Sequence, residues 1–470
     1  MVSGPHTDAD RARMLAALGL ASVDALFDDI PAAVRSTGLR LPPARSEMEL
    51  MADLAGLAGR NRTDLASFAG AGAYRHHVPP VVDQVLLRGE FYTAYTPYQP
   101  EVSQGTLQTI YEYQSLIAEL TGLDVVSASH YDGGAATAEA ALMACRATRR
   151  ERNLVSRGVN RQYRETLATY CSASGLVVEE LPLLAEGPAA GTTDLAALER
   201  LLADPDRPVA GVLAAQPNVW GLLEPMAEIG RAAHAAGALF VAVVEPVSLG
   251  VLAPPGAYAA DIAAGEGQPL GLPLAYGGPY LGILACRDAL VRQIPGRLVG
   301  LTSDLDGQRA YVMTMRAREQ DIRREKAASN ICSNQALCAL ASAVYLAAMG
   351  PAGLRDVAVT GAAKAAELEA ALAAAGAPRL HAGPYLNEFV VAVPDALAVH
   401  RRLLAHGVLA GVPTAVLEPG DRSLADGLLV CATELTTADE IELFAFALRE
   451  ELAAGPARAG VGAGAPEAGR

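Results

Sequence analysis

The pattern of hydrophobic and polar positions divides the chain into parts of different character. Residues 7 to about 60 carry short runs with helical apolar spacing, separated by Gly19 and Pro31. Thr7, Ser22 and Ser46 each stand where a side chain can cap such a run. The pattern predicts an N-terminal helical arm over residues 1–70.

From residue 71 the pattern changes to near-continuous apolar runs that alternate with amphipathic stretches. Runs such as "PVAGVLAAQPN" and "ALFVAVVEP" read as strands, and "MAEIGRAAHAAG" between them reads as a helix. Uninterrupted apolar strands are typical of parallel sheets covered on both faces. This alternation predicts a large α/β domain with a mostly parallel sheet over residues 71–320.

The last third predicts a smaller C-terminal α+β domain over residues 321–455. A long helical zone is predicted from about Arg316 to Met349, and strands are predicted at 385–393 and 428–432. The stretch "DEIELFAFALREELAAG" predicts the last helix. Residues 456–470 are rich in Gly, Ala and Pro and predict a disordered tail.

Composition adds limits on partners and location. The net charge of −15 argues against a nucleic-acid or anionic-membrane surface. No stretch of about 18 uncharged apolar residues fits a membrane span, and residues 1–11 are polar, unlike a signal peptide. The six cysteines form no CxxC pair and no Cys/His cluster with metal-ligand spacing. We therefore expect a cytoplasmic protein with reduced, mostly buried thiols and no metal.

Two sequence features have the form of ligand-binding elements. The turn "YDGG", with Asp132, Gly133 and Gly134, opens a helix whose free N–H groups suit a phosphate, although the spacing favours a plain strand-to-helix turn. Glu245 ends a predicted central strand, where parallel sheets bind ligands. Its carboxylate either meets the ring nitrogen of a cofactor or faces solvent.

Lysine is scarce, and this restricts the chemistry. Of 37 basic side chains only Lys326 and Lys364 are lysines. In a large-plus-small α/β chain of this kind, pyridoxal phosphate chemistry needs a Schiff-base lysine on the Gly/Pro-rich loop at 261–282. That loop holds Gln268 and Pro269 and no lysine.

One stretch of the chain, "REQDIRREKAASNICSNQAL", is dense in charge. It contains Arg323, Arg324 and Lys326 close together. A solvated helix explains such charges. An interface or an anion-binding site is the other interpretation.

Several long motifs resemble the glycine decarboxylase (P-protein) of the glycine cleavage system. They are "GAGAYRHHVPP", "FYTAYTPYQPEVSQGTLQTIYEYQSLIAELTG", "YDGGAATAEA", "YGGPYLG", "PGRLVG" and "REQDIRREKAASNICSNQAL". The resemblance runs from about residue 7 to 450. It is closest to the N-terminal half of that protein, which some bacteria encode as a separate subunit 1.

The resemblance implies a fold, a partner and a division of labour. The fold is that of the pyridoxal-phosphate-dependent, aspartate aminotransferase-like transferases. Only the second half of the family carries the cofactor lysine, on a loop matching 261–282, so this chain holds no catalytic residue and a separate subunit 2 binds pyridoxal phosphate covalently. Two copies of each subunit decarboxylate glycine and pass its aminomethyl group to the lipoyl arm of H-protein. The turn at 132–134 and Glu245 are then remnants of a cofactor pocket.

The tyrosine-rich stretch between Gly89 and Gly105 is expected to be an irregular loop that serves the partner. Its three tyrosines recur at i, i+3 and i+6, and a serine stands where it can cap the helix that follows. We hypothesise that Tyr95 and Tyr98 line the glycine site at the subunit interface. The neighbouring residues of this set are Thr93, Ser103 and Gln104. The alternative is that the tyrosines only strengthen the subunit contact.

Two other functions compete with this one for the whole chain. A self-sufficient pyridoxal enzyme would have to use Lys326. A non-catalytic scaffold or regulatory homologue would need no active site at all.

Overall fold

The structure is a computed structural model, and it describes residues 4–36, 38, 40–419 and 426–454. It comprises two compact units, residues 1–63 and 64–470. The tail predicted over 456–470 lies outside the described residues. The division predicted at about residue 320 stays a prediction.

The first unit contains two α-helices, α1 (Asp8–Leu18) and α2 (Glu47–Ala58). Thr7 and Ser46 cap them through complete capping boxes, as predicted. The third predicted cap, Ser22, accepts a hydrogen bond from Ala25 N at 3.2 Å, beside a short 3₁₀ turn rather than a helix.

The second unit contains the remaining regular elements. The strands are β1 (Ala66–Ser67), β2 (Val125–Val126), β3 (Arg152–Ser156), β4 (Val177–Leu181), β5 (Val209–Gln216), β6 (Leu239–Val244), β7 (Ile262–Glu266), β8 (Gly282–Cys286), β9 (Leu298–Ser303), β10 (Arg309–Thr314), β11 (Glu388–Ala392), β12 (Val408–Leu409), β13 (Val412–Pro413) and β14 (Gly427–Cys431). The helices are α3 (Pro80–Leu86), α4 (Gly89–Tyr92), α5 (Gln104–Thr121), α6 (Gly133–Thr148), α7 (Arg161–Ala173), α8 (Leu195–Leu202), α9 (Met226–Ala235), α10 (Gln320–Arg323), α11 (Ala336–Ala374), α12 (Ala396–Leu403), α13 (Thr414–Leu417) and α14 (Ala438–Ala454).

A seven-stranded sheet in the order β2-β8-β7-β6-β5-β3-β4 forms the centre of this unit. Strands β3 to β7 pair in parallel, and β8 pairs antiparallel to β7. Successive residues of β5 pack on opposite faces: Leu213 packs with α6 and α7, and Val212 with α8 and α9. Because both faces are covered, these strands are apolar throughout, and the prediction of a mostly parallel α/β sheet is confirmed.

A second, smaller sheet lies in the C-terminal part. Its antiparallel order is β11-β14-β13, and it shares an apolar core with α12 and α14. Strand β1 pairs in parallel with β12, and Ala66 and Phe68 contribute to this same core. The first unit ends at residue 63, and the arm predicted over residues 1–70 stays a prediction as a domain.

The long helix predicted from Arg316 is wrong at its start. Residues 316–326 form short helical turns, and α11 begins only at Ala336. Met315 and Arg324 both have a positive φ of 54°, which breaks helical geometry. Helix α11 is itself two helices that meet at Gly350, where φ is 60° and ψ is −178°.

Contrary to the sequence expectation, α11 is long and apolar enough to span a membrane by length and composition. Half of its most apolar window is buried inside the protein, and its buried side chains pack in the core beside α5 and the β7–β8 edge. Core helices of soluble proteins pass the same test, so its composition is explained by burial.

Candidate functional site

A cavity of about 60 Å³ lies beyond the carboxyl ends of β5, β6 and β7, where open parallel sheets bind ligands. Three glutamates line it: Glu245 follows β6, Glu266 ends β7, and Glu388 begins β11 in the small sheet. Residues of both sheets therefore line the cavity. Such a group of partly or fully buried carboxylates in so small a space is costly unless each is hydrogen-bonded.

Glu266 is held by three backbone N–H groups. Its carboxylate accepts hydrogen bonds from Gly133 N, Gln268 N and Leu281 N, each at 2.9 Å. Gly133 is the first residue of α6, so this carboxylate lies at the positive end of a helix. Burial raises the pKa of Glu266 to about 7, and the three N–H donors oppose that rise.

Glu388 connects the small sheet to the segment that follows β1. It accepts hydrogen bonds from Ala71 N at 2.6 Å and from Tyr74 Oη at 2.9 Å. Burial raises the pKa of Glu388 to about 7, and the nearby charge of Glu245 adds to the rise.

Glu245 lies at the end of the central strand β6, as predicted. Its carboxylate accepts from Val247 N at 2.9 Å and Ser248 N at 2.6 Å, in the turn that follows. Burial raises its pKa, and His76 opposes that rise. The carboxylate thus binds its own backbone turn, which neither of the two sequence interpretations described.

Gln268 occupies the loop where a Schiff-base lysine was sought. Its side chain accepts from Tyr74 N at 2.9 Å and donates to Tyr74 O at 2.9 Å and Leu272 O at 2.8 Å. Of the two lysines, Lys364 forms a salt bridge with Glu367 at 2.8 Å, and Lys326 is exposed. No lysine is among the lining residues of the described cavity.

The turn at 132–134 is closely packed against the same cavity. Asp132 caps α6 by accepting from Ala135 N at 2.6 Å. A Cβ on Gly133 would stand 2.3 Å from Tyr163 Oη and 2.9 Å from Glu266 N, so no side chain fits there. The glycine turn therefore serves a close approach of α6 to the backbone of β7 and to α7.

These residues do not fit pyridoxal phosphate. The described lining offers no amine, and at the start of α6 the N–H of Gly133 is taken by Glu266 and that of Ala135 by Asp132. Three carboxylates would repel a phosphate, and ligand pockets are usually about 300 Å³ or more. The chemistry of this chain's own cavity is that of an internal hydrogen-bonded cluster.

The tyrosine-rich stretch is more regular than expected. Residues 89–92 form one helical turn, α4, and residues 100–102 form a 3₁₀ turn. The exposed fractions of Tyr92, Tyr95 and Tyr98 are 67%, 79% and 46%. All three rings are therefore accessible from outside the described chain.

Tyr98 lies between two guanidinium groups. Those of Arg297 and Arg316 are 5.6 Å and 5.7 Å from its ring centroid, and Arg297 Nη2 is 3.3 Å from Tyr98 Oη. Arg297 also donates to Cys332 O at 2.6 Å, so it ties the tyrosine to the segment before α11. Cation–π contacts of this kind order a ring and concentrate positive charge beside it.

Two shallow cavities flank the tyrosines. One of about 270 Å³ is lined by Tyr98, Arg297 and Arg316, and one of about 300 Å³ is lined by Tyr92 and Tyr95. Both extend to residues 331–337, which include the exposed Cys332. We call the tyrosines, the two arginines and residues 331–337 the tyrosine surface.

The other residues of the hypothesised set bind backbone. Thr93 Oγ1 donates to Gly89 O at 2.6 Å, closing the turn of α4. Gln104 exchanges two hydrogen bonds with the backbone of Tyr311, each at 2.9 Å. Ser103 precedes α5 but its side chain makes no capping hydrogen bond, so that expectation was wrong. Thr93 and Gln104 therefore bind nearby backbone, and a part for the three residues in the glycine site stays a prediction.

The basic residues at 323–326 are exposed. Arg323 Nε donates to Ala317 O at 3.2 Å, and Arg324 and Lys326 sit in a 3₁₀ turn. Within the described part of the chain, none of the three forms a salt bridge shorter than 4.0 Å. The salt bridges nearby belong instead to Arg316 with Asp321 and Arg318 with Glu319.

Sequence reasoning missed four functional candidates, Glu266, Glu388, Arg297 and Arg316. Glu266 stands two residues before Gln268, so the acid in "GEGQP" was a signal within the loop under study. Arg297 lies in the quoted motif "PGRLVG". Glu388 carried no local signal, because an acid at the start of a strand is usually exposed.

The chain is similar to known proteins along nearly its whole length. A family model described as glycine cleavage system P-protein matches residues 4–446. The chain belongs to this family. A member named "Probable glycine dehydrogenase (decarboxylating) subunit 1" from Moorella thermoacetica is 53% identical over 452 residues, 96% of this chain and 99% of the relative. One of the same name from Anaeromyxobacter dehalogenans is 48% identical over 447 residues, 95% and 99% of the two chains.

Solved structures agree with the family and the fold. A crystal structure of glycine decarboxylase (P-protein) of the glycine cleavage system, in inhibitor-bound form, has a TM-score of 0.87 and 44% identity. It covers 96% of this chain and 100% of that chain. A sphingosine-1-phosphate lyase from Burkholderia pseudomallei has a TM-score of 0.64 at 16% identity, covering 90% and 94%. The fold is that of the pyridoxal-phosphate-dependent aminotransferases, as the sequence resemblance implied.

Proposed function

We propose that this chain is subunit 1 of a two-subunit glycine dehydrogenase (decarboxylating) that acts in the cytoplasm. With a lysine-bearing subunit 2, in two copies of each, it releases CO₂ from glycine. The remaining aminomethyl group goes to the lipoyl arm of H-protein. The names of relatives that match 93% or more of this chain support the assignment.

The observation that carries the proposal is the contrast between a small acidic cavity at the sheet edge and an exposed tyrosine surface. The cavity has a volume of only about 60 Å³, and the carboxylates of Glu266 and Glu388 in its lining are hydrogen-bonded to backbone N–H groups. The tyrosine surface is exposed and carries hydroxyl groups beside positive charge. This favours a chain that contributes groups to a partner's site over one that holds its own.

Pyridoxal phosphate, in this proposal, is bound covalently by subunit 2, where its ring takes up electrons when glycine loses its carboxylate. The residues of this chain bind and orient. Tyr95 and Tyr98 present rigid rings with polar tips to the partner's pocket. Arg297 holds Tyr98 in place, and its charge suits the carboxylate of glycine.

The basic residues Arg323, Arg324 and Lys326 belong to the proposal as contacts with an acidic surface of a partner. They are exposed and form no salt bridge within the described residues.

The competing function is that of a scaffold or regulatory homologue. The small acidic cavity is compatible with that function too. A self-sufficient pyridoxal enzyme is disfavoured, because Lys326 lies in an exposed 3₁₀ turn and does not line the cavity. The scaffold has no use for the hydroxyl groups of the tyrosine surface, so these separate the two functions.

The first test is borohydride reduction of the full chain with pyridoxal phosphate, alone and mixed with subunit 2, followed by intact-mass analysis. We expect the pyridoxyl mass on subunit 2 alone, and glycine-dependent CO₂ exchange only in the mixture. A pyridoxyl adduct at a single lysine of this chain contradicts the proposal.

The second test compares Tyr98→Phe and Tyr95→Phe with Tyr92→Phe as the matched control in the assembled enzyme. Loss of a hydrogen bond to a charged group costs about 1.5–3 kcal/mol, so we expect the rate to fall about tenfold or more for Tyr98→Phe. Unchanged rates in all three variants, with intact assembly, favour the scaffold.

A further inference from the structure

Glu266 stands in a site that has the form of an anion receptor. Three elements converge on its carboxylate: the first turn of α6, the loop after β7, and the residue before β8. Gly133 N donates to one oxygen, and Gln268 N and Leu281 N donate to the other. Only 7% of the residue is exposed.

Backbone N–H groups at the start of a long helix commonly bind phosphates or carboxylates. Helix α6 has 16 residues and begins with Gly133, where a Cβ would stand 2.3 Å from Tyr163 Oη and 2.9 Å from the backbone N of Glu266. Here the anion comes from the end of β7, in the same chain. The receptor is therefore complete without a ligand.

We propose that Glu266 is a built-in anion that fills the oxyanion site of α6, so that the cavity takes no free phosphate or phosphorylated cofactor. The carboxylate instead fastens α6 to the β7–β8 edge. This inference stands on contacts within one chain, and it holds whether or not the proposed function is correct.

Side chains near Glu266 add to the barrier against a free anion. Gln268 is fixed to the backbone of Tyr74 on both sides, which places residues 71–77 beside the cavity. Glu388 and Glu245 add carboxylates to the same wall. A free anion would have to displace a bound carboxylate while meeting two others, and like charges oppose that exchange.

The test is the melting temperature of the full chain in inorganic phosphate, with sodium chloride at equal ionic strength as reference. We expect no specific shift for the wild type. Glu266→Ala vacates the N–H groups, and a site with a Kd of about 1 mM gives an increase of about 2 °C at about 20 mM phosphate. The control Glu245→Ala removes a carboxylate from the same cavity but leaves α6 occupied, so its melting temperature should not respond to phosphate.

Two results would overturn the proposal. One is a phosphate-specific shift of the wild type as large as that of Glu266→Ala, and the other is a folded Glu266→Ala that ignores phosphate. If Glu266→Ala does not fold, Glu266→Gln decides at pH 8. Its NH₂ group must face at least one N–H donor, whereas the glutamine of Glu388→Gln keeps its contacts, and both substitutions remove a carboxylate whose pKa burial raises to about 7. The melting temperature of Glu266→Gln should therefore fall below that of Glu388→Gln; an equal or higher value refutes the anchoring role.

Discussion

Glu388→Gln tests the energetics of the buried carboxylate cluster. The residue is 4% exposed and connects the small sheet to Ala71 and Tyr74. A glutamine fits the same contacts, since its carbonyl accepts from Ala71 N and its NH₂ donates to Tyr74 Oη. The substitution therefore removes the ionisation and keeps the shape.

The magnitude follows from the raised pKa. Burial raises the pKa of Glu388 from 4.5 to about 7, and each unit is worth 1.36 kcal/mol, so the difference is about 3 kcal/mol. Below pH 4.5 the folded and unfolded states both hold the proton. Between 4.5 and 7 the unfolded chain loses it and the folded chain keeps it, so the free energy of unfolding falls as pH rises. Above pH 7 the loss is complete and constant.

The assay is urea unfolding of the full chain at pH 5, 6, 7 and 8. Relative to wild type, we expect the free energy of unfolding of Glu388→Gln to improve by about 2.5 kcal/mol between pH 5 and pH 8, because part of the difference is already lost at pH 5. Glu199→Gln, on the exposed face of α8, is the control and should follow the wild type throughout. A constant difference between Glu388→Gln and wild type across this range would refute the reasoning.

Three further substitutions test the packing and the caps. Gly221→Ala places a Cβ 1.9 Å from Glu388 O, so it should cost about 1–3 kcal/mol more in unfolding free energy than Gly19→Ala, which shares a positive φ but has open space around it. Ser46→Ala breaks the capping box of α2, and hydrogen exchange of that helix should show a loss of about 1 kcal/mol in local stability. Arg164→Met removes a buried guanidinium from Glu180 and Glu418, but Arg157 remains 3.9 Å and 3.8 Å from them, so thermal and urea unfolding should show a loss of about 1–3 kcal/mol. For each variant, unfolding or exchange equal to that of its reference protein would contradict the role assigned to the substituted residue.

Local patterns were sufficient for most of the second unit. The apolar runs of β5 and β6 and the amphipathic spacing of α9 were predicted where they occur, because burial on both faces or one face leaves a direct mark on the sequence. The caps at Thr7 and Ser46 were also predictable from the sequence, because a cap acts within four residues. The helix predicted from Arg316 failed because nothing in the sequence signals a positive φ at Met315 and Arg324.

The sequence by itself determined the α/β class, the strand end that carries Glu245 and the absence of a lysine from the loop at 261–282. Only the tertiary structure decided that Glu266 binds the first turn of α6 across 133 positions, and that Arg297 meets Tyr98 across 199. Hydrophobic periodicity records whether a residue is buried, but not which distant residue it meets. Which distant residues meet depends on the order of strands in the sheet and the course of the chain between them. In this protein those meetings form both the small acidic cavity and the exposed tyrosine surface.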